Sequence, residues 1–377
     1  MQGPSETQDP EPCSLTLRPW LQPEVANEII TDVLLSMNKE GPLTRDEDQV
    51  QQTGDEDQPK TPEAAPVNLE ERCFLWAIMD NDNQFETIFQ LRGPNTLEAM
   101  RYNFMTMVPQ AYIDMQMVSL VCHVLNREER TRYQRDVYCV PPEILIRMFE
   151  TYGANYLDKK TKMPYRVSQL KDQQYMELLD KEKLRKHSTL FAPVLYSRHW
   201  WLYVLDMQSK EYYVVDSIYG TTQSQERNRL HRFAFNILNQ LRVWAGAPSL
   251  LKKHTIGLQL RFVDVPKQPN STDCGVYVMK WMELLVAALS AAHTFKIQYN
   301  IEEWNEDQLD QFRKEIVSKL IMSKDNTLNV NSINQALNMT REAITEARTR
   351  IERQPKPSAA LKSPYVQVTT AELDKRH

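Results

Sequence analysis

Of the five cysteines in this 377-residue chain, Cys274 alone has a setting that nucleophilic chemistry would explain. It ends a turn-rich stretch, Pro266-Lys-Gln-Pro-Asn-Ser-Thr-Asp273, and precedes an apolar run over 276–289 that reads as a helix buried on nearly every side. The positive end of a helix dipole favours a thiolate, the species that attacks an acyl carbon. Attack also needs a general base, and His199 stands at the start of a strand-like run, directly before Trp200-Trp201. A third group must orient the imidazole and stabilise its charged form, and Asp216 closes the neighbouring run. Gln268, six residues before Cys274, offers a side-chain N–H to join the Cys274 backbone N–H around an oxyanion.

Each residue has a plainer reading when taken singly. A cysteine at a helix start is more often a small buried hydrophobe, and a strand-end histidine a satisfied polar group. Asp216 before Ser217 suits a turn cap, and Gln268 a loop brace. Their joint spacing argues for more. A hairpin turning near Gln208-Ser209 pairs residues whose numbers sum to about 417, which sets His199 opposite Ile218 and within two positions of Asp216.

The elements that must position these groups are legible in outline. Runs over 189–196, 200–206 and 211–216 are aromatic and β-branched on both faces, which predicts central strands, and 258–265 reads as another. Between them, 223–246 carries Leu230, Phe233, Ile237, Leu241 and Trp244 at helical spacing, with Gly246 as the stop. Helices are predicted over 70–79, 96–107 and 114–126, and Asn305 is a good N-cap for one bearing Leu309, Phe312, Ile316 and Leu320. Helices at both ends of a central sheet make an α+β domain over 66–330.

Residues 1–65 hold 14 acidic and 4 basic side chains, too little apolar surface to offset ordering, and predict a disordered acidic arm. Within it, Val25, Ile29, Val33 and Met37 suggest a short helix. The segment 331–377 predicts a charged surface helix with Leu337, Ile344 and Ile351 seven apart, then a disordered tail past 355. Lys181 to Lys186 reads as a solvated helix face.

Composition excludes several functions. Nine glycines form no phosphate-binding loop, so nucleotide chemistry is not expected. A net charge of -5 gives no case for direct nucleic-acid binding, and no apolar run approaches the roughly 18 residues of a membrane span. Five scattered cysteines without a C-x-x-C pair argue against a disulfide framework and a metal cluster. A reducing compartment, nucleus or cytoplasm, is expected, with no metal and no cofactor.

The order His199, Asp216, Gln268, Cys274 resembles the ubiquitin-like-protein-specific cysteine proteases that process SUMO. So do the local words His199-Trp200, Val214-Val-Asp216-Ser217 and Pro266-x-Gln268-x-Asn270-x-x-Asp273-Cys274-Gly275. The resemblance covers about 95–292 and is similar to the divergent members carried by plant genomes and their transposons. It implies a papain-like, adenain-like fold with His199 as base, Asp216 as its orienter, Gln268 as oxyanion donor and Cys274 as nucleophile. It places Trp200 beside a channel for a Gly-Gly tail. Ala111 stands where the family has a second tryptophan, with Tyr112 next to it.

The expected activity is thiol-dependent cleavage after the C-terminal Gly-Gly of a ubiquitin-like, SUMO-type modifier, by a monomer acting on that modifier and its conjugates. A cysteine acyltransferase with the same triad, and an inactive module that binds a ubiquitin-like partner, are the alternatives. Gly275 is read as a substrate-side position where a side chain would crowd the oxyanion, so that Gly275→Val costs activity far more than stability.

Overall fold

The computed structural model describes residues 67–353 apart from 80–82, 94–95, 130, 171–172, 221–222, 253–254, 257 and 289–302. The readings for the acidic arm, the helix near 24–37 and the tail past 355 lie outside the described residues. In chain order the elements are α1 (Leu69–Ile78), β1 (Thr87–Leu91), β2 (Leu97–Met100), α2 (Arg101–Met105), α3 (Met115–Leu125), α4 (Arg132–Arg135), β3 (Val137–Cys139), α5 (Glu143–Tyr152) and α6 (Lys181–Lys186). Then come β4 (Thr189–Tyr196), β5 (His199–Asp206), β6 (Glu211–Val215), α7 (Gln225–Trp244), β7 (Leu251–Lys252), β8 (Thr255–Ile256) and β9 (Gln259–Phe262). The chain continues through α8 (Cys274–Ala288), α9 (Glu306–Met322), α10 (Asn329–Leu337) and α11 (Arg341–Arg353).

Five strands form a mixed sheet in the order β3-β4-β5-β6-β9, its outer pairs parallel and its inner pairs antiparallel. The aromatic and β-branched runs are its three inner strands, and every residue of β5 is buried. The hairpin register is the expected one: Leu202 faces Val215 and Asp206 faces Glu211. A two-residue turn joins β4 to β5, with Ser197 and Arg198 at φ +52° and +64°, a twist that suits tight hairpins. His199 is therefore the first residue of β5, at the end of the sheet.

Helices cover both faces. On one, Trp201 lies against Phe149 of α5 and His231 of α7, and Tyr203 Oη is 2.9 Å from His231 Nδ1. On the other, Trp200 meets α8, which packs on β5, α3 and α9. Helix α7 ends as expected, with Gly246 at φ +89° and its N–H on the Val243 carbonyl. Asn305 caps α9 reciprocally with Gln308.

Three expectations are corrected. The helix over 96–107 is strand β2 followed by the short α2, because Leu97 and Ala99 are buried alternately against β1. The stripe of Leu337, Ile344 and Ile351 is not on one helix, since α10 ends at Leu337 and α11 begins at Arg341. Both helices lie against α1, where Arg72 donates to the Leu337 and Met339 carbonyls and Arg348 pairs with Glu71 at 2.8 Å. In α6, Lys183 does not point to solvent. It donates to the backbone carbonyls of Asn126 and, at 3.0 Å, Tyr133.

Asn126, just past α3, holds β3 in place. Its amide donates to the Cys139 carbonyl at 2.7 Å and accepts from the Cys139 N–H at 2.9 Å. Asn126→Leu removes both partners from a buried backbone unit and is expected to lower stability by about 2–4 kcal/mol. Urea unfolding should show a lower midpoint with an unchanged m value.

Candidate active site

Asp216 follows β6 directly and is 1% exposed. Its Oδ1 accepts from the Ile218 and Tyr219 N–H groups at 2.8 and 2.9 Å, so the carboxylate caps its own turn. The same oxygen lies 2.9 Å from His199 Nε2. Its Oδ2 accepts from Arg227, on the first turn of α7. Burial opposes ionisation of Asp216, but His199, Arg227 and the turn N–H groups reverse it and hold the carboxyl well below the usual carboxylate range.

His199 is 3% exposed, its ring stacked on Trp201 and edge-on to Tyr219. Burial pulls its pKa down. Asp216, by charge and hydrogen bond, and Cys274, likewise, outweigh that and raise it to about 9. With Nε2 taken by Asp216, Nδ1 is the ring nitrogen left to serve Cys274, and it is buried with no hydrogen-bond partner.

Cys274 is the first residue of α8 and 1% exposed. The loop before it is braced from within. Asn270 Oδ1 accepts from the Thr272 and Asp273 N–H groups, and its amide donates to Asp273 Oδ2 at 2.5 Å. Asp273 Oδ1 pairs with Arg313 of α9, whose side chain is fully buried and also donates to the carbonyls of Ala111 at 3.0 Å and Thr106 at 3.4 Å.

Gln268 has a fixed orientation. Ser217 Oγ donates to its Oε1 at 2.5 Å, and its Nε2 donates to the Asn270 carbonyl at 2.6 Å. An amide nitrogen carries two hydrogens, so the second remains for an oxyanion. Trp200 is 2% exposed, and its indole N–H donates to the Ile113 carbonyl at 3.2 Å. Tyr112, beside Ala111, has the Arg198 guanidinium 4.3 Å from its ring centre.

Gly275 requires a correction. A Cβ there would lie 2.6 Å from Ile113 Cβ and 3.2 Å from Trp200 Cδ1, both on buried side chains. The missing side chain makes room for core packing, so a substitution there costs stability.

The structure thus brings His199, Asp216 and Cys274 into one chain of interactions, with Gln268 tied to the turn after Asp216. The roles of Arg227, Arg313 and Ile113, and the Ser217 bond to Gln268, emerge from the structure. A signal existed for two of them. Arg227 is three residues before Leu230 and Arg313 four after Leu309, so both continue apolar helical stripes where a cation needs a buried partner.

A mixed sheet flanked by helices, with a cysteine opening the buried helix opposite a strand-end histidine, defines a papain-like, adenain-like cysteine protease domain. Residues 113–323, more than half of the chain, match the family described as Ulp1 protease family, C-terminal catalytic domain, and the chain belongs to that family. Ubiquitin-like-specific protease 1 of Saccharomyces cerevisiae is 35% identical over 101 residues, 26% of this chain and 14% of the yeast protein, so the match spans about a seventh of that relative. The C-terminal Ulp1 protease domain in complex with Smt3, the yeast ortholog of SUMO, aligns over 70% of this chain and 100% of its own at 17% identity and a TM-score of 0.44. The Chaetomium thermophilum Ulp1-like SUMO protease catalytic domain aligns over 71% and 95% at 16% identity and a TM-score of 0.44.

Two substitutions follow from this geometry. Gly275→Ala forces a carbon into a filled space and should lower stability by about 1–3 kcal/mol, read as a fall in the melting temperature. Arg313→Met leaves Asp273 buried without its cation and should cost about 3–5 kcal/mol in denaturant unfolding.

Proposed function

We propose that this domain is a thiol peptidase that cleaves after the C-terminal Gly-Gly of a ubiquitin-like modifier of SUMO type. The partners are then that modifier and its conjugates, met in the nucleus or cytoplasm. The observation that carries the reading is His199, held through Nε2 by Asp216 and coupled to Cys274 on its other side. The family and its yeast relative, a ubiquitin-like-specific protease, support the substrate class.

In the mechanism, the Cys274 thiolate attacks the carbonyl of the terminal glycine. The tetrahedral oxyanion is met by the free Gln268 N–H and the backbone N–H of Cys274. His199, as imidazolium, gives its proton to the leaving amine, and the C–N bond breaks to leave a thioester. The now neutral imidazole takes a proton from water, whose oxygen attacks the thioester and releases the carboxylate and Cys274. Asp216 keeps the ring oriented throughout and stabilises its charged form.

The test is a panel of SUMO and ubiquitin vinyl-sulfone probes. Wild type should gain the mass of at least one probe and Cys274→Ala none; failure of every modifier to label wild type overturns the proposal. The pH dependence has a definite sign. His199 is protonated below its pKa of about 9, so kcat/KM on a diglycine-tailed substrate should hold to about pH 9 and fall above it as the proton donor is lost.

A further inference from the structure

Arg227 is built into the site more firmly than a surface ion pair would be. Its backbone N–H donates to the N-cap Ser224 Oγ at 3.2 Å, and its Nε donates to Gln223 Oε1 at 2.8 Å. The guanidinium lies 3.9 Å from the Tyr219 ring centre and 4.7 Å from that of Trp201, the two rings that also flank His199. Its Nη2 meets Asp216 Oδ2, the oxygen that His199 does not use. We propose that Arg227 is a positioning residue for the reaction, fixing the plane of the Asp216 carboxylate and sharing its charge, so that His199 faces a partly neutralised anion. This rests on the reading of Cys274 as the nucleophile.

The electrostatic argument follows from the order of charges. From α7 inward they run Arg227 cation, Asp216 anion and His199 imidazolium, each hydrogen-bonded to the next. Removing the first leaves Asp216 wholly to the imidazolium, which then holds its proton more tightly. A general acid held too strongly transfers its proton less readily.

The other groups around this pair are few among the described residues. Tyr219 faces the imidazole, and Lys267, from the loop before α8, donates to the Asp216 carbonyl at 3.4 Å. Behind Arg227, His231 is buried and held neutral, its pKa lowered to about 3 by burial and by Arg227, and it bonds Tyr203. Tyr196 is the strand partner of His199, and Arg198 is turned onto Tyr112. Asp273, beside Cys274, is paired with Arg313. Arg227 is the one described cation whose side chain bonds the Asp216 carboxylate from behind.

The experiment compares the full chain with Arg227→Met, Arg227→Lys and His199→Gln. The ring nitrogens of His199 are followed by NMR across pH, and Cys274 alkylation by iodoacetamide is followed over the same range. Arg227→Met should raise the His199 midpoint by about one pH unit. Above that midpoint, it should also turn a single Nε2–H tautomer into a mixture. Arg227→Lys, which keeps the charge, should hold the midpoint near that of wild type. If Arg227→Met leaves midpoint and tautomer unchanged, even with a lower melting temperature, Arg227 is only structural and the inference fails. If His199→Gln does not change the alkylation profile, the nucleophile reading itself fails, which is a separable result.

Discussion

The site depends on one buried anion. Asp216 is a carboxylate with almost no contact with water, a state that costs several kcal/mol unless every lone pair is met. Here two backbone N–H groups, an imidazole and a guanidinium meet them. The N–H groups come from the turn that Asp216 itself caps, so local chain geometry places the carboxylate. The imidazole comes from β5, in a register set by a hairpin whose strands are buried on both faces. A slip of one residue would turn His199 to the opposite face and set Trp201 and Tyr203 against α8 instead of α5 and α7.

The nucleophile is placed by a second buried pair with a different logic. Asp273 draws no catalytic partner; it joins Arg313, which reaches from α9 to the carbonyls of Ala111 and Thr106. One guanidinium thereby fixes the residue before Cys274 and the loop that carries Ile113. Ile113 then packs over Gly275 and accepts the Trp200 N–H. Loop, helix start and strand are locked in three directions around Cys274, and the lack of a Cβ at Gly275 allows them to approach so closely.

The legible parts of this arrangement are those that depend on local pattern. The three inner strands show in the sequence because burial on both faces leaves few residue types available to them. The ten-residue word Pro266 to Gly275 shows because its turn takes Pro, Asn and Asp at set places and its helix start a Gly. The Asp273–Arg313 and Asp216–Arg227 pairs span 40 and 11 residues, and nothing local marks which carboxylate each arginine will find. Tertiary pairing also overrides periodicity at 97–100, where a segment with helical spacing of Leu97, Met100 and Phe104 is recruited by β1 instead. The same applies past residue 329, where α10 and α11 break the heptad because each lies on α1.

These two pairs link stability and chemistry in a way that an apolar core would not. Well-packed hydrophobic residues can replace a buried ion pair at little net cost, whereas losing one partner strands a charge. Asp216 cannot be traded for an apolar residue without freeing His199, and Asp273 cannot without freeing Arg313 and the loop it holds. Removing Arg227 or Arg313 alone would therefore strand its carboxylate as a buried charge. The helices that bear them, α7 and α9, approach the site from different parts of the chain, and each anchors one of its two carboxylates.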